Sequence, residues 1–156
     1  NGRKLAFVGD ANNVARSLAI VCAKLDVALT IASPDRYQLD HDFLKQLRQE
    51  LPTAQIELTD DPKAAVADAD VVYTDVWASM GQEDEAARRL AAFDGYQVNP
   101  AMLDIASPNV KFMHDLPAHP GEEISDGLLH DPRSVVFDQA ENRLWAQAAL
   151  MEKLIQ

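Results

Sequence analysis

The run Tyr73-Thr74-Asp75-Val76-Trp77-Ala78-Ser79-Met80-Gly81-Gln82-Glu83 puts a carboxylate, an indole, a hydroxyl and a glycine into one turn after an apolar strand end. In an open α/β sheet, ligands sit at the carboxyl ends of strands, so Asp75 stands where a site residue belongs. An aspartate there can also serve as the cap of the helix that opens near Gln82. Three further segments carry polar groups able to converge with it: Asp10-Ala11-Asn12-Asn13, His114-Asp115-Leu116-Pro117 and Glu141-Asn142-Arg143. The first precedes a helix whose N-terminal amides favour an anionic ligand. His114 and Arg143 are donors suited to a developing oxyanion, although a core histidine bonded to backbone and a surface arginine at a helix start fit the same residues.

The elements that must position these groups alternate. Leu5–Val8 is a short apolar run ended by Gly9, as in a buried parallel strand. A helix follows, with Val14, Leu18, Val21, Cys22 and Leu25 at helical spacing and Asn12 or Asn13 as its cap. Val27–Ala32 is a second strand, and His41–Leu51 an amphipathic helix with Phe43, Leu44 and Leu47 inward. Gln55–Thr59 reads as a third strand, and Asp61-Pro62 starts a short helix. Val71–Thr74 is the fourth strand, followed by helices over Asp84–Phe93 and Pro100–Ala106. Val110–Met113 is the fifth strand and Val135–Phe137 a last one. The final helix is expected from about Glu141 to the end, burying Leu144, Ala148, Leu150 and Leu154. Strands alternating with helices through short crossovers predict one doubly wound, Rossmann-like α/β domain over residues 1–156, a parallel sheet with helices on both faces.

Composition narrows the function. Hydrophobic residues at 47% and charged residues at 25% describe an ordinary globular core and surface. A formal net charge of −11 with no basic patch argues against a nucleic acid partner. The single cysteine, Cys22, excludes a disulfide within the chain and reads as a small core residue. No apolar run is long enough for a membrane span and no signal sequence is apparent, so a cytoplasmic location is expected. Gly9-Asp10-Ala11-Asn12-Asn13 lacks the G-x-G-x-x-G spacing, and its side chains would crowd a pyrophosphate, which speaks against a nicotinamide cofactor. A phosphoacceptor receiver domain is also a poor fit: Asp10 has no acidic neighbour and Thr59 closes the third strand. Neither a cofactor nor a metal is expected.

Several runs resemble the aspartate/ornithine carbamoyltransferase family, as its amino-acid-binding half. They are Val8-Gly-Asp-Ala-Asn-Asn13, the Asp75 loop, Phe93-Asp-Gly-Tyr-Gln-Val98, His114-x-Leu-Pro117, Gly121-Glu-Glu123 and Val136-Phe-Asp-Gln-Ala-Glu-Asn-Arg143. The Tyr73–Glu83 and Gly95–Val98 runs resemble the ornithine branch. The resemblance implies that Asn13 holds the substrate α-carboxylate and Asp75 its α-ammonium, with Ser79 and the Met80 backbone completing that grip. It implies that His114, the main-chain carbonyls of Asp115 and Leu116, and Arg143 surround the carbamoyl group, and that Leu116-Pro117 is cis. A homotrimeric full enzyme, acting on L-ornithine and carbamoyl phosphate in arginine biosynthesis, is the family expectation.

Two departures from the family pattern stand out. The family has cysteine where this chain has Asp115, in the proton-accepting position. At its reference value near 4 a carboxylate is poorly matched to that role, and ionised it favours the charged, non-nucleophilic amine. The Ser-Thr-Arg-Thr phosphate-binding motif is also missing from the 156 residues, so the carbamoyl-phosphate-binding domain is expected to be absent and the isolated chain inactive. Three readings follow: the amino-acid-binding half of an ornithine carbamoyltransferase, a non-catalytic module for a basic amino acid or a scaffold, and a carbamoyltransferase with another amine acceptor.

Overall fold

The computed structural model describes residues 2–78 and 85–155. Five strands form one parallel sheet: β1 (Lys4–Val8), β2 (Ala28–Ala32), β3 (Ile56–Thr59), β4 (Val71–Thr74) and β5 (Lys111–His114). Their order is β3-β2-β1-β4-β5, so the direction of winding reverses between β1 and β4. The loops after these two strands diverge there and leave the crevice in which ligands of such sheets bind.

The central strands β1, β2 and β4 are buried on both faces, which is why their sequences read as continuous apolar runs, while the edge strands β3 and β5 are partly exposed. One layer packs Ala6, Val8, Val72 and Phe112 against Val66, Phe93, Leu103, Ile124 and Val136. The other packs Phe7, Leu29, Ile31 and Tyr73 against Ala15, Ala19, Cys22, Leu44 and Leu47. The helices are α1 (Asn13–Leu25), α2 (His41–Glu50), α3 (Pro62–Val66), α4 (Ala86–Ala92), α5 (Pro100–Leu103) and α6 (Val136–Ile155). Asn12, not Asn13, caps α1, its side chain accepting from the Val14 amide.

The structure corrects three expectations. Helix α1 meets the sheet through small residues, Ala15, Ala19, Cys22 and Ala23, while Val21 and Leu25 are exposed. Val135–Phe137 is not a strand: only Ser134 bridges to Phe112, and the helix begins at Val136. The last helix therefore starts five residues before Glu141, and Leu144, Leu150 and Leu154 are 63%, 57% and 75% exposed rather than buried. The periodicity was real, but only the first turns of α6 lie against β5.

Candidate functional site

Gly9 is where β1 must end. At φ +144°, a conformation rare for other residues, a Cβ here would lie 3.4 Å from Thr74 Oγ1 and 3.6 Å from the Asp75 carbonyl. It is this positive φ, rather than a shortage of space, that calls for glycine where the loops after β1 and β4 meet. Asn12 Nδ2 then donates to Asp75 Oδ2 at 2.7 Å, while the Val76 amide donates to Asp75 Oδ1 at 2.7 Å. Asp75 is 7% exposed and rigidly aimed. Asp10, close enough to Asp75 for the two charges to oppose each other, is paired with Arg89 instead. Its carboxylate meets Arg89 Nη1 at 2.6 Å, and the same guanidinium donates to the Trp77 carbonyl at 2.9 Å and lies over the Tyr37 ring. Burial still raises the Asp10 pKa, with Arg89 working against it.

The loop after β5 is held from below. His114 is fully buried, and both ring nitrogens are engaged: the Leu116 amide donates to Nδ1 at 2.8 Å, and Nε2 faces Glu123 Oε1 at 3.2 Å. An amide donating to Nδ1 places the ring proton on Nε2, so the ring donates to Glu123 and is neutral. Glu123, also fully buried, accepts the His119 amide on the same oxygen. The His114 amide donates to Gln139 Oε1 at 3.0 Å, and Gln139 Nε2 reaches the Tyr73 hydroxyl at 2.9 Å. In this loop Leu116 takes φ 59° and its bond to Pro117 is cis.

A cleft of about 610 Å³ opens between α1 and α6 above this loop. Asn13, Val14, Ser17, Leu18 and Val21 form the α1 wall, and Gln139, Ala140, Arg143 and Gln147 the α6 wall. Tyr73, His114 and Asp115 close its end at the sheet. One side of α1 is thus a lining, which explains why Val21 is not in the core. Asp115 is one-third exposed by side chain, yet its Oδ1 is buried and has no donor. Burial, and then the neighbouring Asp75 carboxylate, push Asp115 up to about 6. Burial likewise keeps the Tyr73 phenol protonated.

Asn13, His114, Asp115 and Arg143 thus border one cleft, with Leu116 in its supporting loop. Asp75 lies beside Asp115. Ser79 and Met80 fall outside the described residues. Sequence reasoning did not single out Gln139, Glu123 or Arg89. The first two sit inside motifs it had quoted, but their partners lie 25 and 9 residues away and leave no local mark. His119, Glu122 and Glu123 bring possible ligand atoms within 4.8 Å of one another, but one Glu123 oxygen is already taken by His114 and the His119 amide. Among the described residues no helix is long and apolar enough to cross a membrane.

Comparison with known proteins places this geometry. Residues 1–154 match the family model described as aspartate/ornithine carbamoyltransferase, Asp/Orn binding domain. The anabolic ornithine carbamoyltransferase of Pseudomonas aeruginosa is 52% identical over 155 residues, covering 99% of this chain and 49% of the relative. The ornithine carbamoyltransferase of Thermococcus kodakarensis is 51% identical over 152 residues, covering 96% of this chain and 48% of the relative. The solved ornithine carbamoyltransferase of Pyrococcus furiosus superposes with a TM-score of 0.89 at 49% identity, over 97% of this chain and 49% of that one. The anabolic enzyme of Campylobacter jejuni gives 0.91 at 32% identity, over 99% and 52%. The chain spans about half the length of the curated relatives it matches.

Proposed function

The chain belongs to the aspartate/ornithine carbamoyltransferase family, and from that premise we propose that it is the amino-acid-binding half of an ornithine carbamoyltransferase. The observation that carries this reading is the match of residues 1–154 to an amino-acid-binding domain, with half-length identity to enzymes named for ornithine. L-ornithine would react with carbamoyl phosphate to give L-citrulline and phosphate. Carbamoyl phosphate would be held by residues beyond these 156, in a homotrimeric cytoplasmic enzyme of the family type.

In this reading Asn13 holds the amino acid's α-carboxylate, and Asp75 its α-ammonium. Ser79 and the Met80 backbone complete the grip. Asp75 already accepts two hydrogen bonds, yet a carboxylate has about four lone-pair sites and can take an ammonium without losing them. The side-chain amine attacks the carbamoyl carbon, the C–N bond forms, and phosphate leaves with the electrons of the C–O bond. Arg143 donates to the carbamoyl oxygen as it gains charge. The ring of His114 has no hydrogen left to give, so its part is to hold Leu116 and the carbonyls of residues 115 and 116 in place. Asp115 takes the amine proton. A carboxyl at about 6 is far better matched to that task near neutral pH than one at its reference value.

One observation favours binding without turnover. The two carboxyls side by side, Asp75 and Asp115, strengthen the charged form of a nearby amine, which is not nucleophilic. Joining this chain to the amino-terminal half of the Pseudomonas aeruginosa relative and measuring citrulline separates the outcomes. Turnover that falls at least about 100-fold in Asp75→Asn supports the enzyme. Ornithine binding without citrulline supports the binding module, and neither result overturns both readings.

A further inference from the structure

The chain turns sharply soon after Pro117. The Glu122 amide donates to the His119 carbonyl at 3.0 Å and the Gly121 amide to the Ile124 carbonyl at 2.8 Å, so His119-Pro120-Gly121-Glu122 is a tight turn. Its far side is pinned: the Val98 amide donates to the Glu123 carbonyl at 2.9 Å, and Gln97 Nε2 to the Glu122 carbonyl at 2.9 Å. One donor atom each from His119, Glu122 and Glu123 comes within 4.8 Å of the others. His119 and Glu122 reach solvent, whereas Glu123 is fully buried. A buried carboxylate is costly without a cation or a full set of donors. Among the described residues, no lysine or arginine pairs with Glu123. Its Oε1 takes the His114 ring hydrogen and the His119 amide. Its Oε2 is buried without any donor and faces His119 Nδ1 at 3.8 Å.

We propose that His119, Glu122 and Glu123 form a site for a divalent cation of the zinc class, on the far side of Glu123 from His114. No metal is expected from the sequence; the turn is what brings the three donors together. Ligands about 2.1 Å from a tetrahedral zinc lie about 3.4 Å from one another. The 3.8 Å between Glu123 Oε2 and His119 Nδ1 therefore needs little closure, and the solvent-facing side chains of His119 and Glu122 can turn to supply it. One imidazole and two carboxylates fill three positions, leave the fourth to water, and together neutralise the ion. The imidazole selects zinc and its neighbours over magnesium or calcium, which take oxygen ligands. Glu123 would then offer Oε2 to the metal and Oε1 to His114, so the ion steadies the acceptor that orients the His114 ring.

Calorimetric titration of the chain with zinc chloride, and separately with magnesium chloride, in a buffer that does not bind metal tests the proposal. Zinc is expected to bind one per chain at this site, and magnesium at least about tenfold more weakly. His119→Gln and Glu122→Gln should each lower zinc affinity at least about tenfold. His41→Gln, at an exposed histidine where α2 begins, should leave it unchanged. Zinc should also raise the Tm of the natural chain and leave that of Glu122→Gln where it was. NMR of the natural chain needs no variant: zinc should shift the His119 ring and the Glu123 side-chain carboxyl together. Failure of zinc to bind, binding that survives both substitutions or falls equally in His41→Gln, or shifts confined to other histidines and carboxyls overturns the proposal. The amino-acid-binding reading stands apart from all of these outcomes, since its own test uses no metal.

Discussion

Two regions flank β5 and differ in kind. Beneath the Asp115 loop, His114, Glu123, Gln139 and Tyr73 form a buried network in which each hydrogen bond sets the next. Beyond Arg143, α6 exposes Leu144, Trp145, Leu150, Met151, Leu154 and Ile155. The first region shows a fold spending buried polar groups to orient a loop. The second shows helical periodicity with no core against it among the described residues. In this network buried polar groups are held because they position a loop, whereas an apolar stripe is no proof of burial.

The sharpest way to break this contrast is to cut the network. Glu123→Leu leaves the His114 Nε2 hydrogen and the His119 amide without their acceptor, so a loss of about 3 kcal/mol is expected. For a domain of this size that lowers Tm by roughly 10 °C. An unchanged Tm shows that the network is not structural. Asp115 sits between the regions and is expected to act with the opposite sign. Its carboxyl is raised to about 6, so the folded chain retains a proton that the unfolded chain loses near 4. The stability this proton contributes is full below the unfolded value and lost as pH rises through about 6. Asp115→Asn should therefore be more stable than the natural chain at pH 8 by about 1 to 2 kcal/mol, allowing for its partial exposure, and no more stable at pH 4. Denaturant titrations at the two pH values read this directly. The smallest effect belongs to outer α6, where Leu154→Lys should change stability by less than about 0.5 kcal/mol. A larger loss reveals packing that the described residues do not contain.

How much of this was legible in sequence follows from the range of the signals. The five strands and the rim they share were readable because buried parallel strands write themselves as local apolar runs. That Asn13, His114, Asp115 and Arg143 border one cleft was readable because strand ends and helix starts carry them in local motifs. What was not readable was pairing at a distance. Nothing near residue 10 announces that Arg89 holds it, and nothing in Glu123 announces His114. The misread α6 has the same origin, since a 3.6-residue period reports a face without reporting what that face meets. The value of Asp115 was missed for a related reason. Its reference pKa follows from residue type, whereas the shift to about 6 comes from burial and from Asp75, 40 positions away in the chain.

The central claim is that Asp75, held by Asn12 at the reversal between β1 and β4, anchors the head group of an amino acid. Amide NMR of the chain titrated with L-norvaline tests it most directly, because no turnover and no second substrate are needed. The account predicts shifts concentrated at residues 12–14, 75–76 and 114–116 and at Arg143, all lost in Asp75→Asn. Shifts confined to other surfaces, or shifts that persist in Asp75→Asn, contradict it.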